Sequence, residues 1–219
     1  AEAGVRPGTR VCVHRSKREL VEIDDYLGSY FMDHRALLVV LLSAARELRQ
    51  RPDRPPQDVY FVCTVSEEVG GLGGSYASRA LPGELTLALE VGPTEAEYGT
   101  TVTRGPVVGY SDAQCVYDKG VADRLVDVAT ALGADPQPAV LGAFESDASH
   151  AKSNGHAAAA GLLCLPTLST HGYEVVPRGG IGAMSDVLVE FLVQPVPFAE
   201  GTSRVTGLHQ ERTRHDRLR

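Results

Sequence analysis

Short apolar runs alternate with longer segments of helical periodicity along most of this chain. The apolar runs predict buried strands over 58–65, 85–91, 139–143 and 160–165. The periodic segments predict helices over 36–48, 75–79, 120–132, 146–160 and 182–193. Strands that alternate with helices are typical of α/β domains, in which helices cover both faces of the sheet. We therefore predict a three-layer α/β/α fold with a mostly parallel, mixed central sheet.

The chain divides into three parts. Residues 26–198 contain all the predicted strands and helices of the α/β domain. Residues 1–25 contain a turn at Arg6-Pro7-Gly8, a short strand and a charged stretch, but no first strand and helix of a domain. Residues 199–219 are polar and basic, which favours a mobile tail over a docking segment in an oligomer.

Charge and hydropathy narrow the possible partners. The formal net charge of −7 argues against nucleic acid, because phosphate binding needs a basic face. The sequence shows neither a leader nor an apolar run of transmembrane length, so we expect no membrane partner and a cytoplasmic protein. No two of the four cysteines (12, 63, 115 and 164) have CxxC spacing, which predicts small buried side chains in a reducing compartment.

Acidic side chains stand at the ends of predicted strands, where α/β sheets place their sites. Glu67 and Glu68 follow the strand 58–65 and precede a glycine-rich turn. Successive side chains leave a strand in different directions, so one carboxylate can bind a metal while the other faces a bound water. A solvated surface pair is the alternative interpretation. Glu90 ends the strand 85–91, where a buried carboxylate needs a cationic partner or a metal.

Two further residues complete a possible metal site. Asp33 directly precedes the long apolar helix, where a helix cap would also explain it. His171 follows the strand 160–165, and a single histidine in such a place is more often structural. As a set, the four carboxylates and the imidazole would meet at one edge of the sheet. Mixed oxygen and nitrogen ligands of this kind are typical of two-metal hydrolases.

These residues stand in motifs that resemble the metallo-aminopeptidases of the glutamyl aminopeptidase and tetrahedral aminopeptidase type. The motifs are Asp33-His34-Arg35, Glu67-Glu68-Val69-Gly70, Glu90-Val91 and His171-Gly172-Tyr173-Glu174. The resemblance runs from about residue 5 to residue 194, and the Glu-Glu-Val-Gly motif between a strand and a glycine-rich turn is its most specific element.

The resemblance implies a hydrolase that cleaves the amide bond at the N-terminus of peptides with a metal-activated water. Asp33 would bridge two divalent ions, Glu68 and His171 would bind one of them, and Glu90 would bind the other. Glu67 would be the general base. Zinc is the first expectation, with cobalt and manganese as alternatives. The resemblance also implies a cis peptide bond after Asp33 and a homo-oligomer.

The sequence departs from the family pattern at the site itself. His34 replaces the second Asp of its motif, and Glu90 replaces the usual Asp. Asp147 and Ser169 lie in segments that border the substrate pocket in the family, so we expect both to bind substrate. Because the sequences of those two segments differ from the usual pattern, they do not predict ordinary aminopeptidase specificity. The two sequences resemble a branch of the family associated with N-acetylglutaminylglutamine amide osmoprotectant systems.

The family's first metal ligand, a His in a His-x-Asp motif, has no counterpart in this sequence. In the family this motif precedes an inserted β-domain, so residues 1–25 resemble the return from that domain. Residues 26–198 then form a catalytic domain that is incomplete at its N-terminus. His14 is the one early histidine, but no Asp follows it. We therefore expect the ion beside Glu90 to bind weakly or not at all.

Three functions stay open on the sequence. The first is a two-metal aminopeptidase that is complete only with a missing N-terminal part. The second is a hydrolase of similar chemistry that acts on a small acylated dipeptide or amide. The third is a non-catalytic remnant that serves as an assembly or binding subunit. An intact Glu67 argues against the remnant, and the absent histidine argues for it.

Overall fold

The structure of the protein, a computed structural model, describes residues 4–196. The basic segment 199–219, predicted to be a tail, lies outside the described residues. The strands are β1 (Val21–Ile23), β2 (Tyr26–Tyr30), β3 (Leu85–Pro93), β4 (Val107–Asp112), β5 (Gln137–Leu141), β6 (Ala159–Thr167) and β7 (Tyr173–Pro177). The helices are α1 (Met32–Gln50), α2 (Leu72–Ala80), α3 (Lys119–Ala131), α4 (Asp147–Ser153) and α5 (Gly180–Leu192).

The larger sheet has the strand order β3-β6-β4-β5 and is mixed, as predicted. The pairs β3–β6 and β4–β5 are parallel, whereas β4 and β6 are antiparallel. All nine residues of β6 are buried, because its side chains alternate between two cores. Leu163 and Leu165 pack in the core that includes α1, α3 and α5, and Leu162 and Cys164 pack on the opposite face with α4. Helices on both faces make the three-layer fold.

A smaller antiparallel sheet, in the order β1-β2-β7, brings together two segments that are far apart in sequence. Its register pairs Ser29 with Glu174 and Tyr30 with Tyr173. Because α1 begins two residues after Tyr30, this pairing places the start of α1 beside the short connection between β6 and β7. The sheet thereby brings Asp33 and His171 into one region of the molecule.

The strand predicted over 58–65 is wrong, because the structure assigns no strand to these residues. Tyr60 and Val65 are exposed, and Phe61 packs against the core from a partly buried position. β-Branched and aromatic residues favour an extended backbone, but a strand also needs partners for its N–H and C=O groups. Within residues 4–196, no strand pairs with this run.

The helix predicted over 146–160 is too long. Helix α4 ends at Ser153, Gly155 follows with a positive φ of 71°, and Ala159 and Ala160 belong to the buried strand β6. Alanine favours helices, but a small apolar side chain also suits a strand that is buried on both faces. The tertiary position therefore decides the structure of the alanine run.

The burial of α1 and of the cysteines is uneven, and for the cysteines it corrects the prediction. Helix α1 is buried on one face only, and its opposite face exposes Leu38, Val39 and Leu42. Among the cysteines, Cys164 is buried as predicted, whereas Cys12 and Cys63 are exposed, and all four are free thiols. Apolar neighbours in sequence do not ensure burial in a segment that no strand covers, which is the situation of Cys63 in the run 58–65.

None of the helices within residues 4–196 combines the length and the apolar character that crossing a membrane requires.

Candidate metal centre

Asp33 lies at the start of α1 with a buried carboxylate that is 8% exposed. The backbone of α1 is kinked at Asp33 and His34, whose dihedral angles are not helical. Within the described residues no backbone N–H of α1 donates to the Asp33 carboxylate, so helix capping does not explain Asp33. The peptide bond between Asp33 and His34 is cis, as the resemblance implied. Asp33 Oδ1 is buried, and the ring nitrogen Nδ1 of His34 lies 2.8 Å from it. A buried carboxylate needs a positive charge beside it, so this position suits a cation.

A first group of candidate metal ligands consists of Asp33, Glu68 and His171. His171 Nε2 lies 3.4 Å from Asp33 Oδ2 and 3.3 Å from Glu68 Oε2. Ligand atoms about 2.1 Å from one tetrahedral zinc ion would be separated by about 3.4 Å. The group is open to solvent, since the side chains of His171 and Glu68 are 69% and 57% exposed. These distances fit a metal site that keeps room for a further ligand.

A second group consists of Asp33, His34 and Glu90, and it lies deeper. The His34 ring lies between the two carboxylates, with Nδ1 2.8 Å from Asp33 Oδ1 and Nε2 in contact with Glu90 Oε2. The side chains of His34 and Glu90 are 26% and 6% exposed. In each group the possible ligand atoms lie within 4.8 Å of one another. Asp33 therefore presents one oxygen to each group.

The charges of the second group are strongly coupled. Burial raises the pKa of the Glu90 carboxyl, and the neighbouring imidazole opposes that shift. Burial also disfavours the charged form of His34, but the carboxylates of Asp33 and Glu90 outweigh it and raise the pKa of His34. The two carboxylates thus stabilise positive charge at this position, which is what a divalent ion would supply.

Glu67 was predicted to be the general base. It begins a short 3-10 helix, Glu67–Val69, and is half-buried. Its carboxylate makes no hydrogen bond to another residue within the described range. Burial, and next the charge of Glu68, raise the pKa of Glu67, while His34 opposes the shift. A carboxylate with a raised pKa accepts a proton more readily.

Glu174 connects the segment of Asp33 to the segment of His171 through hydrogen bonds, a role that the sequence motifs did not predict. Its side chain is buried, and Oε2 accepts hydrogen bonds from the backbone N–H groups of Met32 (2.5 Å) and Asp33 (3.1 Å). Oε1 accepts one from the N–H of His171 at 3.1 Å. The sequence feature that could have identified Glu174 is a glutamate at an inward-facing position of a short apolar strand, Tyr173–Pro177. Such a residue needs several donors to be stable.

Asp147 begins α4 and belongs to the same region, because its charge influences the pKa of Glu67. Asp147 Oδ2 accepts a hydrogen bond from Thr64 Oγ1 at 2.5 Å, whereas Oδ1 is buried and unpartnered among the described residues. A Cβ on Gly74 would lie 2.3 Å from Asp147 Cγ. The glycine-rich turn of the motif thus lets α2 pack directly against this carboxylate.

The other sequence-predicted positions lie outside the two ligand groups. Ser169 is exposed, with a positive φ of 57°, in the connection that carries His171. Its carbonyl oxygen accepts a hydrogen bond from the Gly172 N–H at 3.0 Å, which closes that turn. His14 belongs to neither group, and its Nδ1 lies 2.9 Å from Ser16 Oγ.

The fold is similar to solved aminopeptidases. An aminopeptidase from the archaeon Desulfurococcus kamchatkensis matches with a TM-score of 0.74 and 25% identity, over 84% of this chain and 56% of its own. A TET aminopeptidase from a marine sediment archaeon of the Thaumarchaeota matches with a TM-score of 0.74 and 19% identity, over 85% of this chain and 54% of its own. This chain therefore spans about half the length of the solved structures it matches.

A structure of the Pyrococcus horikoshii TET1 peptidase matches with a TM-score of 0.72 and 20% identity, over 80% of this chain and 53% of its own. That peptidase can assemble into a tetrahedron or a large octahedral shell. The family model of the M42 glutamyl aminopeptidases matches residues 1–187, which is most of the chain. The sequence motifs, the mixed sheet and this match lead to one conclusion: the chain belongs to the M42 glutamyl aminopeptidase family.

Proposed function

We propose that this chain forms the metal-binding part of a two-metal aminopeptidase. The observation that carries the proposal is the placement of Asp33, whose two carboxylate oxygens face two different groups of ligands. A bridging carboxylate between two divalent ions needs this arrangement. Because each group combines an imidazole with carboxylates, the donors suit zinc first, and cobalt or manganese as well. Residues 26–198 would then be the catalytic domain.

Bound divalent ions would supply Lewis acidity, which lowers the pKa of a water and polarises a scissile carbonyl. The chain's own residues would move the proton. Glu67 would accept the proton of the attacking water and return it to the leaving amine. The raised pKa of Glu67 and its lack of hydrogen-bonding partners in the described part support this role.

Asp147 would orient the substrate. Its carboxylate, whose Oδ1 is buried and has no partner among the described residues, would attract a cationic amino group through its charge. The N-terminal ammonium of a peptide carries that charge, which supports cleavage at the N-terminus. Ser169 lies in the His171 connection, where its hydroxyl could contact the substrate from the solvent side.

Assembly is also proposed from the comparisons. Because a similar peptidase forms large shells, this chain would form a homo-oligomer. Static light scattering of the purified protein measures this directly, and a mass of one chain would contradict it.

The test of function replaces the proposed base and keeps the proposed ligands. Glu67→Gln should leave zinc content unchanged and lower turnover of aminoacyl anilides by on the order of 10²–10⁴-fold. Glu19→Gln, at an exposed position outside both ligand groups, is the matched control and should behave as the wild type. Full activity in Glu67→Gln would refute the assignment.

The wild-type protein should also be assayed on small acylated dipeptides and their amides. Turnover of these compounds with none of the anilides would identify the second class of hydrolase. Zinc binding without turnover of either would contradict an aminopeptidase and favour a non-catalytic subunit.

A further inference from the structure

We infer that His34 is a ligand of the second metal ion, together with Asp33 and Glu90. This inference rests on the proposed two-metal site and adds a residue to it. The sequence motifs gave that ion two carboxylates and no imidazole, which is why weak or absent binding was expected. The structure brings a histidine to the same place from within the Asp33-His34-Arg35 motif itself.

The His34 ring lies between the two other proposed ligands of this ion. The two ring nitrogens of His34 face one carboxylate each, Nδ1 toward Asp33 Oδ1 and Nε2 toward Glu90 Oε2. Since the three candidate ligand atoms lie within 4.8 Å of one another, a modest movement of the ring would let one nitrogen and both carboxylates reach a common ion. Asp33 Oδ1, which lies 2.8 Å from His34 Nδ1, is the oxygen that faces this group.

The other described histidines do not offer an alternative. His171 belongs to the first group. His14 pairs with Ser16, and His150 Nε2 lies 3.0 Å from Glu145 Oε2. His156 stands beyond the end of α4 and outside both groups. Among residues 4–196, His34 is therefore the imidazole that the structure places at Glu90.

With His34 as a ligand, the two ions would have the same types of protein ligand. Asp33 would be shared, and each ion would receive one further carboxylate and one imidazole, from Glu68 and His171 on one side and from Glu90 and His34 on the other. Three protein ligands per ion are the usual number at catalytic zinc sites, which keep a position for water or substrate. A second ion could therefore bind to these residues alone.

The experiment compares the zinc content of the wild type, His34→Asn and the control His14→Asn after zinc loading and dialysis. Asparagine keeps much of the bulk of histidine but lacks the imidazole. We expect two zinc ions per chain in the wild type and in His14→Asn, and one in His34→Asn, with affinity at the second site lower by at least about 10-fold. Two ions at unchanged affinity in His34→Asn would overturn the inference.

X-ray absorption spectroscopy of the zinc-loaded wild type tests the same point without a variant that has to fold. With two zinc ions bound per chain, coordination by His34 and His171 predicts an average of one imidazole per zinc, whereas coordination by His171 alone predicts half that number. A wild type that binds one ion and keeps it in His34→Asn would overturn the role of His34 and leave the first group intact. A wild type that binds no zinc would overturn the proposed function as well.

Discussion

The two groups of candidate ligands share Asp33 but differ in how the fold builds them. The first group is exposed and joins His171 to Glu68 across separate loops. The second group is nearly closed, and its imidazole comes from the residue next to Asp33. Sequence motifs therefore predict the members of the exposed group. The buried group also depends on the side-chain position of His34, which the backbone of the fold determines.

The largest effect should follow from removing the shared ligand. Asp33→Asn keeps the shape of the side chain but removes the charge that both groups need. We expect at most one zinc ion per chain, an affinity for it lower by more than about 100-fold, and turnover below detection. Metal analysis after dialysis measures the content, with Asp58→Asn, at an exposed position, as the control. Two ions at normal affinity would refute the bridging role of Asp33.

A smaller effect on both groups should follow from Glu174→Gln. The glutamine oxygen can accept hydrogen bonds on one side only, so the N–H of His171 or those of Met32 and Asp33 would face an NH₂ group. We expect zinc affinity to fall by about 10–100-fold at the sites and the protein to lose about 1–3 kcal/mol of stability. Calorimetric zinc titration and thermal unfolding measure these changes. Unchanged zinc affinity would show that Glu174 does not position the ligands.

The difference in exposure predicts two rates of metal removal. A chelator should take the ion from the exposed group, with His171 and Glu68, faster than the ion from the group around Glu90. Stopped-flow detection with a zinc-sensitive dye should therefore show two phases of equal amplitude. Glu68→Gln should accelerate or abolish the fast phase and leave the slow one. A single phase in the wild type would remove the distinction between the groups.

The smallest effect should come from a change that leaves both groups intact. In Gly74→Ala the new methyl group would meet Asp147 Cγ, so α2 or Asp147 must shift. We expect a loss of about 1–3 kcal/mol of stability and a higher KM, with zinc content unchanged. Gly182→Ala is the helical control, because its Cβ meets nothing within 4 Å, and it should stabilise by about 0.5–1 kcal/mol. Equal melting temperatures for the two variants would contradict the packing argument.

Local patterns in the sequence predicted much of the fold. The central strands β3 and β6 and the helices α1, α3 and α5 follow from apolar runs and helical periodicity. The short strands β2 and β7 escaped prediction, because their pairing joins residues that are about 150 positions apart. The strand prediction over 58–65 is wrong for a related reason. The composition of this run favours a strand, but whether it has a hydrogen-bonding partner depends on the tertiary structure.

The candidate site likewise contains residues that the sequence predicts and one residue whose position it does not predict. Asp33, Glu68 and His171 were predicted from motifs, and the structure brings them within one group. The position of His34 could not be predicted, because it depends on the backbone turn between β2 and α1 rather than on spacing. The substrate role of Ser169 and the cytoplasmic location stay predictions.

Anomalous diffraction from zinc-soaked crystals of the wild-type protein would locate the bound ions. We expect two zinc peaks on opposite sides of Asp33, with one carboxylate oxygen toward each, His171 at the first peak and His34 at the second. A single peak beside His171, with the His34 ring still placed between Asp33 and Glu90, would contradict this expectation.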